Sequence, residues 1–196
     1  MIHKILQDKQ IVLASASPRR KLLLQQIGLN ALQMPANIPE THDSTTPRIL
    51  VKNLAAAKAL AVAKKVDDDC LIIAADTVVY FEKEIMEKPL SARQAAEFLA
   101  RLSDKSHYVY TGIAIYYRHT LISDFSKSRV TFKQLSAREI ADYIATGEPM
   151  DKAGAYGIQG YGSQFVSKIS GCYFNVMGFP VQLFYEMLKK MFLTQN

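Results

Sequence analysis

The spacing of apolar residues along the chain predicts alternating strands and helices. Short apolar runs that end at Ala14 and that cover residues 70–75 predict buried strands. Residues 106–117 and 121–132 alternate apolar and polar positions, which predicts a long β-hairpin. Apolar residues recur at helical spacing over residues 48–65. The pattern as a whole predicts an α/β fold.

Helix-capping residues place two further helices. Ser91 followed by Gln94, and Ser136 followed by Glu139, have the spacing of a capping box. In such a box, each of the two side chains accepts a hydrogen bond from the backbone N–H of the other residue. The second of these helices is predicted to end at Gly147.

One stretch combines the end of a strand, the start of a helix and two arginines. Ser17 suits the N-cap, Pro18 suits the first helical position, and Gly28 suits the end of the helix. Arg19 and Arg20 then fall in the first turn, where free N–H groups and the helix dipole are already positive. Two readings are open: a bound anion, for which phosphate is the expected chemistry, or a pair of solvated arginines.

Three other charged residues are candidates for chemistry. Lys58 lies on the apolar face of the helix predicted at 48–65, where its amine either extends to the edge of that face or reaches into a site. Asp76 lies at the carboxyl end of the buried run 70–75, and residues 77–81 are predicted to continue as strand. Ligands of open α/β sheets bind at the carboxyl ends of strands, so Asp76 suits a metal or a general base. Glu40 lies in a polar, proline-punctuated loop, where an acid is either solvated or functional.

Composition and charge limit the classes of function. The 196 residues, 49% of them hydrophobic, suit a single domain over residues 1–196. The formal net charge of +6 is consistent with anionic small molecules or nucleic acid as partners, but no tract rich in lysine or arginine stands out, so a nucleic-acid partner is not favoured. Cys70 and Cys172 are expected to be reduced thiols. No signal peptide and no apolar run of roughly 20 residues is found, so we expect a cytoplasmic protein with no membrane partner.

A glycine-rich segment carries the last candidate chemistry. Four of the last nine residues of the segment 148–162 are glycines, which predicts tight turns and a close approach of the backbone to something. The standard phosphate-binding glycine motifs and the nucleophile elbow are absent, and the histidines do not have the spacing of metal ligands.

Four segments taken together are similar to one protein family. They are LASASPRR at 13–20, AADTVV at 74–79 with EKP at 87–89, YTG at 110–112, and EPMDKAGAYGIQG at 148–160. In this order and spacing they resemble the Maf family of nucleoside triphosphate pyrophosphatases over essentially the whole chain. The resemblance implies a twisted mixed β-sheet with flanking helices, two lobes around a central cleft, and a homodimer. It also implies hydrolysis of a nucleoside triphosphate to the monophosphate and pyrophosphate, with a divalent metal cation, Mg²⁺ or Mn²⁺.

The resemblance also implies a set of site residues. Asp76 would activate the attacking water, and Glu40 and Asp76 would hold the metal. Gln159 and Thr77 would contact the base and the sugar. The residues that would bind and neutralise the phosphates are Ser15, Ser17, Arg19, Arg20, Lys58 and Lys88.

Within the family, the chain resembles the branch that acts on dTTP, UTP and 5-substituted uridine nucleotides. The shared features are Arg19 after Pro18, Asp-Thr at 76–77, and YGIQ at 156–159. The branch that prefers 7-methyl-GTP has a tryptophan after the proline, which this chain lacks. The chain departs from the dTTP/UTP pattern at Pro39, Asn53 and Phe179.

A second function is open at this point. The family also carries a septum-inhibition label, so the chain could be a nucleotide- or nucleic-acid-binding regulator without important turnover. The acids Glu40 and Asp76 argue against that alternative, because a protein that only binds phosphates would gain nothing from carboxylates. We therefore favour a pyrophosphatase with a house-cleaning role in the nucleotide pool.

Overall fold

Strands form one mixed sheet in the computed structural model of the protein, which describes residues 1–39 and 46–193. Over these residues the strands are β1 (Ile11–Leu13), β2 (Leu32–Gln33), β3 (Leu71–Phe81), β4 (Glu84–Met86), β5 (Ser106–Tyr117), β6 (Thr120–Phe132) and β7 (Val166–Ser170). Their order is β2–β1–β3–β5–β6–β7, with β4 paired to β3. β1 is parallel to β2 and β3, whereas β4 is antiparallel to β3 and β7 is antiparallel to β6.

Helices flank this sheet, so the mixed α/β fold predicted from the sequence is confirmed. In the described part of the chain they are α1 (Ile2–Ile5), α2 (Pro18–Gln26), α3 (Pro47–Ala63), α4 (Ala92–Leu102), α5 (Ala137–Ala145), α6 (Tyr173–Val176) and α7 (Val181–Phe192). Short 3₁₀ turns cover Glu148–Asp151, Ala153–Ala155 and Gly160–Phe165. Among the described residues, no helix has both the length and the apolar character needed to cross a bilayer.

One of the two predicted capping boxes is complete. At α5, the Ser136 hydroxyl accepts from the Glu139 N–H at 3.2 Å, and the Glu139 carboxylate accepts from the Ser136 N–H at 2.8 Å. At α4, Ser91 caps as predicted, but the Gln94 side chain accepts from the N–H of Leu90 at 2.7 Å. The predicted donor to Gln94 was the Ser91 N–H, but the donor is the residue before it, so the prediction of a reciprocal box at α4 is wrong.

Contacts between residues divide the chain into two compact units, which agrees with the two lobes that the family resemblance implies. In unit 1, the strand residues Val12 and Ile72 pack with Ala55 and Ala59 of α3. These small alanine side chains let the helix lie close to the strands. Unit 1 comprises Met1–Asp76, Thr111–Ser126 and Gly178–Asn196, and unit 2 comprises Thr77–Tyr110 and Lys127–Met177.

Asp76 directly follows the buried run 70–75, as predicted, and the strand continues through residues 77–81, also as predicted, so that Asp76 lies in the interior of one long strand. β3 runs without a break from Leu71 to Phe81, because the β-branched and aromatic residues after Asp76 favour strand. β1 pairs only with the first part of β3, where Leu13 lies opposite Ile73. Asp76 therefore lies beyond the carboxyl end of the neighbouring parallel strand, a position that binds ligands in open α/β sheets.

Gly112 of β5 sets how closely α3 approaches the sheet in unit 1. A Cβ at residue 112 would lie 2.2 Å from the backbone oxygen of Val51 in α3, so only glycine fits there. Lys58 lies about two helical turns further along α3. The YTG segment thus helps to fix the position of Lys58.

Gly112→Ala should lower the free energy of unfolding by about 3 kcal/mol, because the added methyl group forces α3 away from β5. Urea denaturation measures the loss. Gly147→Ala is the matched control: nothing lies within 4 Å of a Cβ there, and only the strain of φ +75° opposes the change. That strain is worth about 1 kcal/mol. Equal losses in the two variants would contradict this role of Gly112.

A buried histidine belongs to the core of unit 2. His107 is 1% exposed and lies edge-on to Phe132 and Tyr156, with ring centroids 5.1 Å and 5.2 Å away. A hydrogen bond of 2.8 Å joins its Nε2 to the Tyr156 hydroxyl. Burial lowers the pKa of His107 from 6.5 to about 4, because the protein interior cannot solvate an imidazolium. His107 therefore anchors the glycine-rich segment at Tyr156 in its neutral form.

The free energy of unfolding should fall as the pH decreases from about 6.5 to 4. Over this range the unfolded chain takes up a proton at residue 107 while the folded chain does not. Above pH 6.5 the imidazole is neutral in both states and contributes no pH dependence. Urea denaturation at pH 6.5 and pH 4 measures this loss. The loss of unfolding free energy in His107→Gln should be about 3 kcal/mol smaller than the loss in the wild type. Parallel pH profiles for the two proteins would contradict the neutral buried histidine.

Candidate functional site

Ser15 organises the turn between β1 and α2. Its hydroxyl oxygen accepts hydrogen bonds from the Ser17 N–H at 3.2 Å and from Nη1 of Arg20 at 3.0 Å. Nε2 of Gln33 donates to the carbonyl oxygen of Ser15 at 2.9 Å. Ser15 is 7% exposed, so these bonds form in a partly desolvated turn and hold its shape.

Arg20 has a second anchor. Its Nε donates to the carbonyl oxygen of Gly178 at 2.9 Å, and Gly178 adopts a φ of +99° before α7. A guanidinium held at two points is oriented before a ligand arrives, which reduces the entropy lost on binding an anion. Arg20 therefore does not fit the reading of a solvated surface arginine. Arg19, beside it, is half-buried.

The first turn of α2 can receive an anion. Ser17 is the N-cap and Pro18 is the first helical residue, as predicted. Within the described residues, however, the Ser17 side chain makes no capping hydrogen bond. The helix dipole favours negative charge at this end of α2.

Lys58 and Asp76 form a buried ion pair in unit 1. Nζ of Lys58 lies 2.6 Å from Oδ1 of Asp76. Only 12% of the lysine side chain and 9% of the aspartate side chain are exposed. Lys58 thus reaches inward and does not extend its amine to the edge of the helix face. Because burial removes water from both charges, each one needs the other.

The ion pair and the Ser15 turn lie on adjacent strands of unit 1. The Ala14 N–H donates to the Ile73 carbonyl at 2.8 Å, which continues the pairing of β1 with β3. Ser15 and Asp76 both follow this bond along their strands, and neighbouring strands are about 4.8 Å apart. Unit 1 therefore places the Asp76 carboxylate, the Lys58 amine, Arg20 and the start of α2 beyond the carboxyl ends of the paired residues of β1 and β3.

The predicted metal ligands can be tested only in part. Glu40 lies outside the described residues. Within 1–39 and 46–193, no group of three or more His, Cys, Asp or Glu side chains could hold a metal ion. Mg²⁺, however, is usually bound by one or two carboxylates together with substrate phosphates and water. Asp76 fits that mode of binding, in which the cation comes with a phosphate ligand, and does not fit a closed protein site.

Thr77 and Lys88 belong to unit 2. Thr77 is half-buried and follows Asp76 on β3, so the pleat directs the two side chains to opposite faces of the strand. Lys88 is exposed and follows β4. The carbonyl of Glu87 accepts from the Gly154 N–H at 3.1 Å, which joins the segment of Lys88 to the glycine-rich segment.

Gln159 lies in the glycine-rich segment of unit 2. Residues 156–158 are buried, whereas Gln159 and Gly160 are exposed. The predicted close approach of backbone is present at Gly154, which has a φ of +67° and whose Cβ would lie 2.9 Å from a methyl carbon of Val79. The side-chain amide of Gln159 is therefore exposed on a segment whose backbone is packed within unit 2.

Sequence reasoning missed some of the residues that shape these groups. Gln33 and Gly178 hold the Ser15 turn and Arg20, but their contacts span the chain and leave no local pattern. Tyr143 and Glu148 bind the backbone on either side of Gln159. Glu148 is the first residue of the segment 148–160 that carries part of the family resemblance, but the sequence does not show which groups its carboxylate binds.

Comparison with known proteins gives concordant matches. The model of a family described as Maf-like protein matches residues 10–191. A dTTP/UTP pyrophosphatase of Clostridium tetani is 46% identical, over 92% of this chain and 96% of the relative. The protein of the same name from Caldicellulosiruptor saccharolyticus is 45% identical, over 93% and 95%. That from Clostridium perfringens is 41% identical, over 94% and 98%.

Lys58→Met should lower the free energy of unfolding by about 3 kcal/mol, because it leaves the buried carboxyl group of Asp76 without its lysine partner. Asp76→Asn should give a similar loss for the converse reason. The double variant removes both charges, so its loss should be smaller than the sum of the two single losses. Urea denaturation of all four proteins completes the cycle, and additive losses would contradict a direct ion pair.

Proposed function

The chain belongs to the Maf family, and on this basis we propose that it hydrolyses dTTP and UTP to the monophosphate and pyrophosphate. It is a hydrolase acting on acid anhydrides. The observation that carries the proposal is the match, over more than nine-tenths of both chains, to relatives named dTTP/UTP pyrophosphatase. Those names support turnover and do not support the alternative of a regulator without it.

The triphosphate would bind at the start of α2. Arg19 and the doubly anchored Arg20 would offer charge-assisted hydrogen bonds to phosphate oxygens, and the dipole of α2 favours negative charge at its first turn. Ser15 and Ser17 shape the turn that carries these donors. Lys88, an exposed lysine of unit 2, would add a further cation for the pyrophosphate leaving group.

Asp76 would act as the general base. Its Oδ1 is held by Lys58 at 2.6 Å, and this contact orients the carboxylate so that Oδ2 can accept a proton from water. Water would attack the α-phosphorus, the bond from that phosphorus to the bridging oxygen would break, and pyrophosphate would leave. Lys58, besides orienting Asp76, would offset the negative charge that collects on the phosphoryl oxygens.

A divalent cation, Mg²⁺ or Mn²⁺, fits the donor set of Asp76 and Glu40. Such hard cations prefer carboxylate, phosphate and water ligands. When bound, the cation would neutralise phosphate charge and polarise the phosphoryl group. Asp76, which lies within the described residues, and Glu40 are the two protein ligands that we propose.

Gln159 and Thr77 would read the base and the sugar. A carboxamide offers both a donor and an acceptor, which matches the donor and acceptor atoms on the edge of a uracil or thymine ring. The same recognition tolerates substituents at position 5, so modified uridine triphosphates are also proposed as substrates. We place this house-cleaning activity in the cytoplasm and propose that the protein is a homodimer.

The substrate test uses the purified protein with Mg²⁺ and a panel of dTTP, UTP, 5-methyl-UTP, CTP, GTP and 7-methyl-GTP. Nucleotide products are separated by chromatography, and pyrophosphate is detected after inorganic pyrophosphatase is added. We expect dTMP, UMP and 5-methyl-UMP with equimolar pyrophosphate, and slower turnover of the other nucleotides. Release of orthophosphate with a nucleoside diphosphate, or binding of UTP without turnover, would overturn the proposal.

Asp76→Asn should lower kcat by about 10²–10⁴-fold, because a general base is worth that much. Asp69→Asn is the matched control, since Asp69 is an exposed acid of unit 1 that pairs with Arg118. It should keep wild-type turnover. Near-normal kcat in Asp76→Asn would exclude Asp76 as the base.

A further inference from the structure

The carboxylate of Glu148 binds the backbone that follows Gln159. Its Oε2 accepts from the Tyr161 N–H at 2.9 Å, and its Oε1 accepts from the Gly162 N–H at 3.2 Å. Hydrogen bonds from neutral N–H groups to an ionised carboxylate are stronger than those between neutral groups. One side chain thus fixes two successive peptide groups beyond Gln159.

The hydroxyl of Tyr143 binds the backbone that precedes Gln159. It accepts from the Gly157 N–H at 3.1 Å and donates to Oε1 of Glu148 at 2.9 Å. Tyr143 is 3% exposed, and its ring lies edge-on to Phe165 at 4.9 Å. Burial raises the pKa of Tyr143 above its ordinary value, which keeps the hydroxyl proton in place to donate.

The glycines of the segment allow these contacts. A Cβ at Gly160 would lie 2.5 Å from Oε2 of Glu148, and one at Gly162 would lie 2.6 Å from the Tyr143 hydroxyl. The backbone therefore touches the two side chains directly. The sequence predicts a close approach of the backbone in this segment, and at Gly160 and Gly162 the groups approached include Glu148 and Tyr143.

We propose that Tyr143 and Glu148 form a clamp that positions Gln159 and thereby sets which nucleobase the enzyme accepts. The clamp holds the chain two residues before Gln159 and two and three residues after it, within a single unit. Tyr143 and Glu148 are positioning residues that act through Gln159. The inference rests on the proposed function in so far as Gln159 reads the base.

Selectivity gives the main test. Glu148→Gln replaces one acceptor oxygen with an NH₂ group, which cannot accept from a backbone N–H. We expect KM for UTP to rise about tenfold with kcat changed less than about threefold, and the kcat/KM ratio of UTP over CTP to fall about tenfold. Tyr143→Phe, which removes only the hydroxyl, should shift the ratio in the same direction and serves if Glu148→Gln does not fold.

A double-variant cycle separates positioning from general stability. In a Gln159→Ala background, Glu148→Gln should change the UTP/CTP ratio by less than about twofold, because Gln159 is the group through which it acts. Glu139→Gln is the matched control, since it makes the same chemical change at the capping box of α5 in the same unit. It should lower stability and leave the ratio unchanged.

Amide hydrogen exchange gives a readout that does not depend on activity. In Glu148→Gln, the amides of Gly157, Tyr161 and Gly162 should exchange at least about tenfold faster than in the wild type, relative to amides of the sheet. Unchanged exchange, an unchanged UTP/CTP ratio, or equal effects of Glu148→Gln with and without Gln159 would each overturn the clamp.

Failure of the proposed function gives a different result. If the wild type hydrolyses no triphosphate, the clamp is judged by calorimetric binding of UTP and CTP to the wild type and to Glu148→Gln. A preference for UTP that is lost in the variant would support the clamp, and equal binding of the two nucleotides by the wild type would overturn it.

Discussion

The ion pair between Lys58 and Asp76 can exist in the interior of unit 1 only if helix α3 lies close against the sheet. Two opposite charges taken out of water need a short contact, and 2.6 Å between Nζ and Oδ1 supplies it. The alanines of α3 and the bare backbone at Gly112 allow the required approach of helix and strand. Because the carboxylate lies beyond the end of β1, the same pair also sets where chemistry can occur relative to the start of α2.

Side chains that hold backbone groups in place occur in both units. In unit 1, the Ser15 hydroxyl accepts from the Ser17 N–H and from Arg20, while the first turn of α2 is left without a side-chain cap within the described residues. In unit 2, the Glu148 carboxylate and the Tyr143 hydroxyl hold the backbone around Gln159. The first arrangement offers donors to phosphate, and the second fixes a group that would read the base. Hydrogen bonds within the protein hold both arrangements, which reduces the entropy lost when a ligand binds.

Local patterns could be read from the sequence, whereas long-range partners could not. Strands and helices follow from apolar spacing and caps, and α5 with its complete capping box is an example. The run 70–75 and its continuation through residues 77–81 could be predicted from their apolar and β-branched residues, and they form the single strand β3. No local pattern shows that β1 pairs only with the first part of β3, which leaves Asp76 beyond the end of β1. Lys58 was recognised as unusual on its helix face, but its partner depends on the packing of α3. Glu148 belongs to the glycine-rich segment that the sequence indicates, yet its role as an acceptor depends on turns that bring the N–H groups of residues 161 and 162 back to it.

The position at which oxygen from water enters the products tests the central claim most directly. With UTP as substrate in water enriched in ¹⁸O, the products can be separated and their isotope content measured by mass spectrometry after a single turnover. If the Asp76 carboxylate activates water for attack on the α-phosphorus, the label appears in UMP and the pyrophosphate stays unlabelled. Label in the pyrophosphate, or labelled orthophosphate released with UDP, would contradict the account.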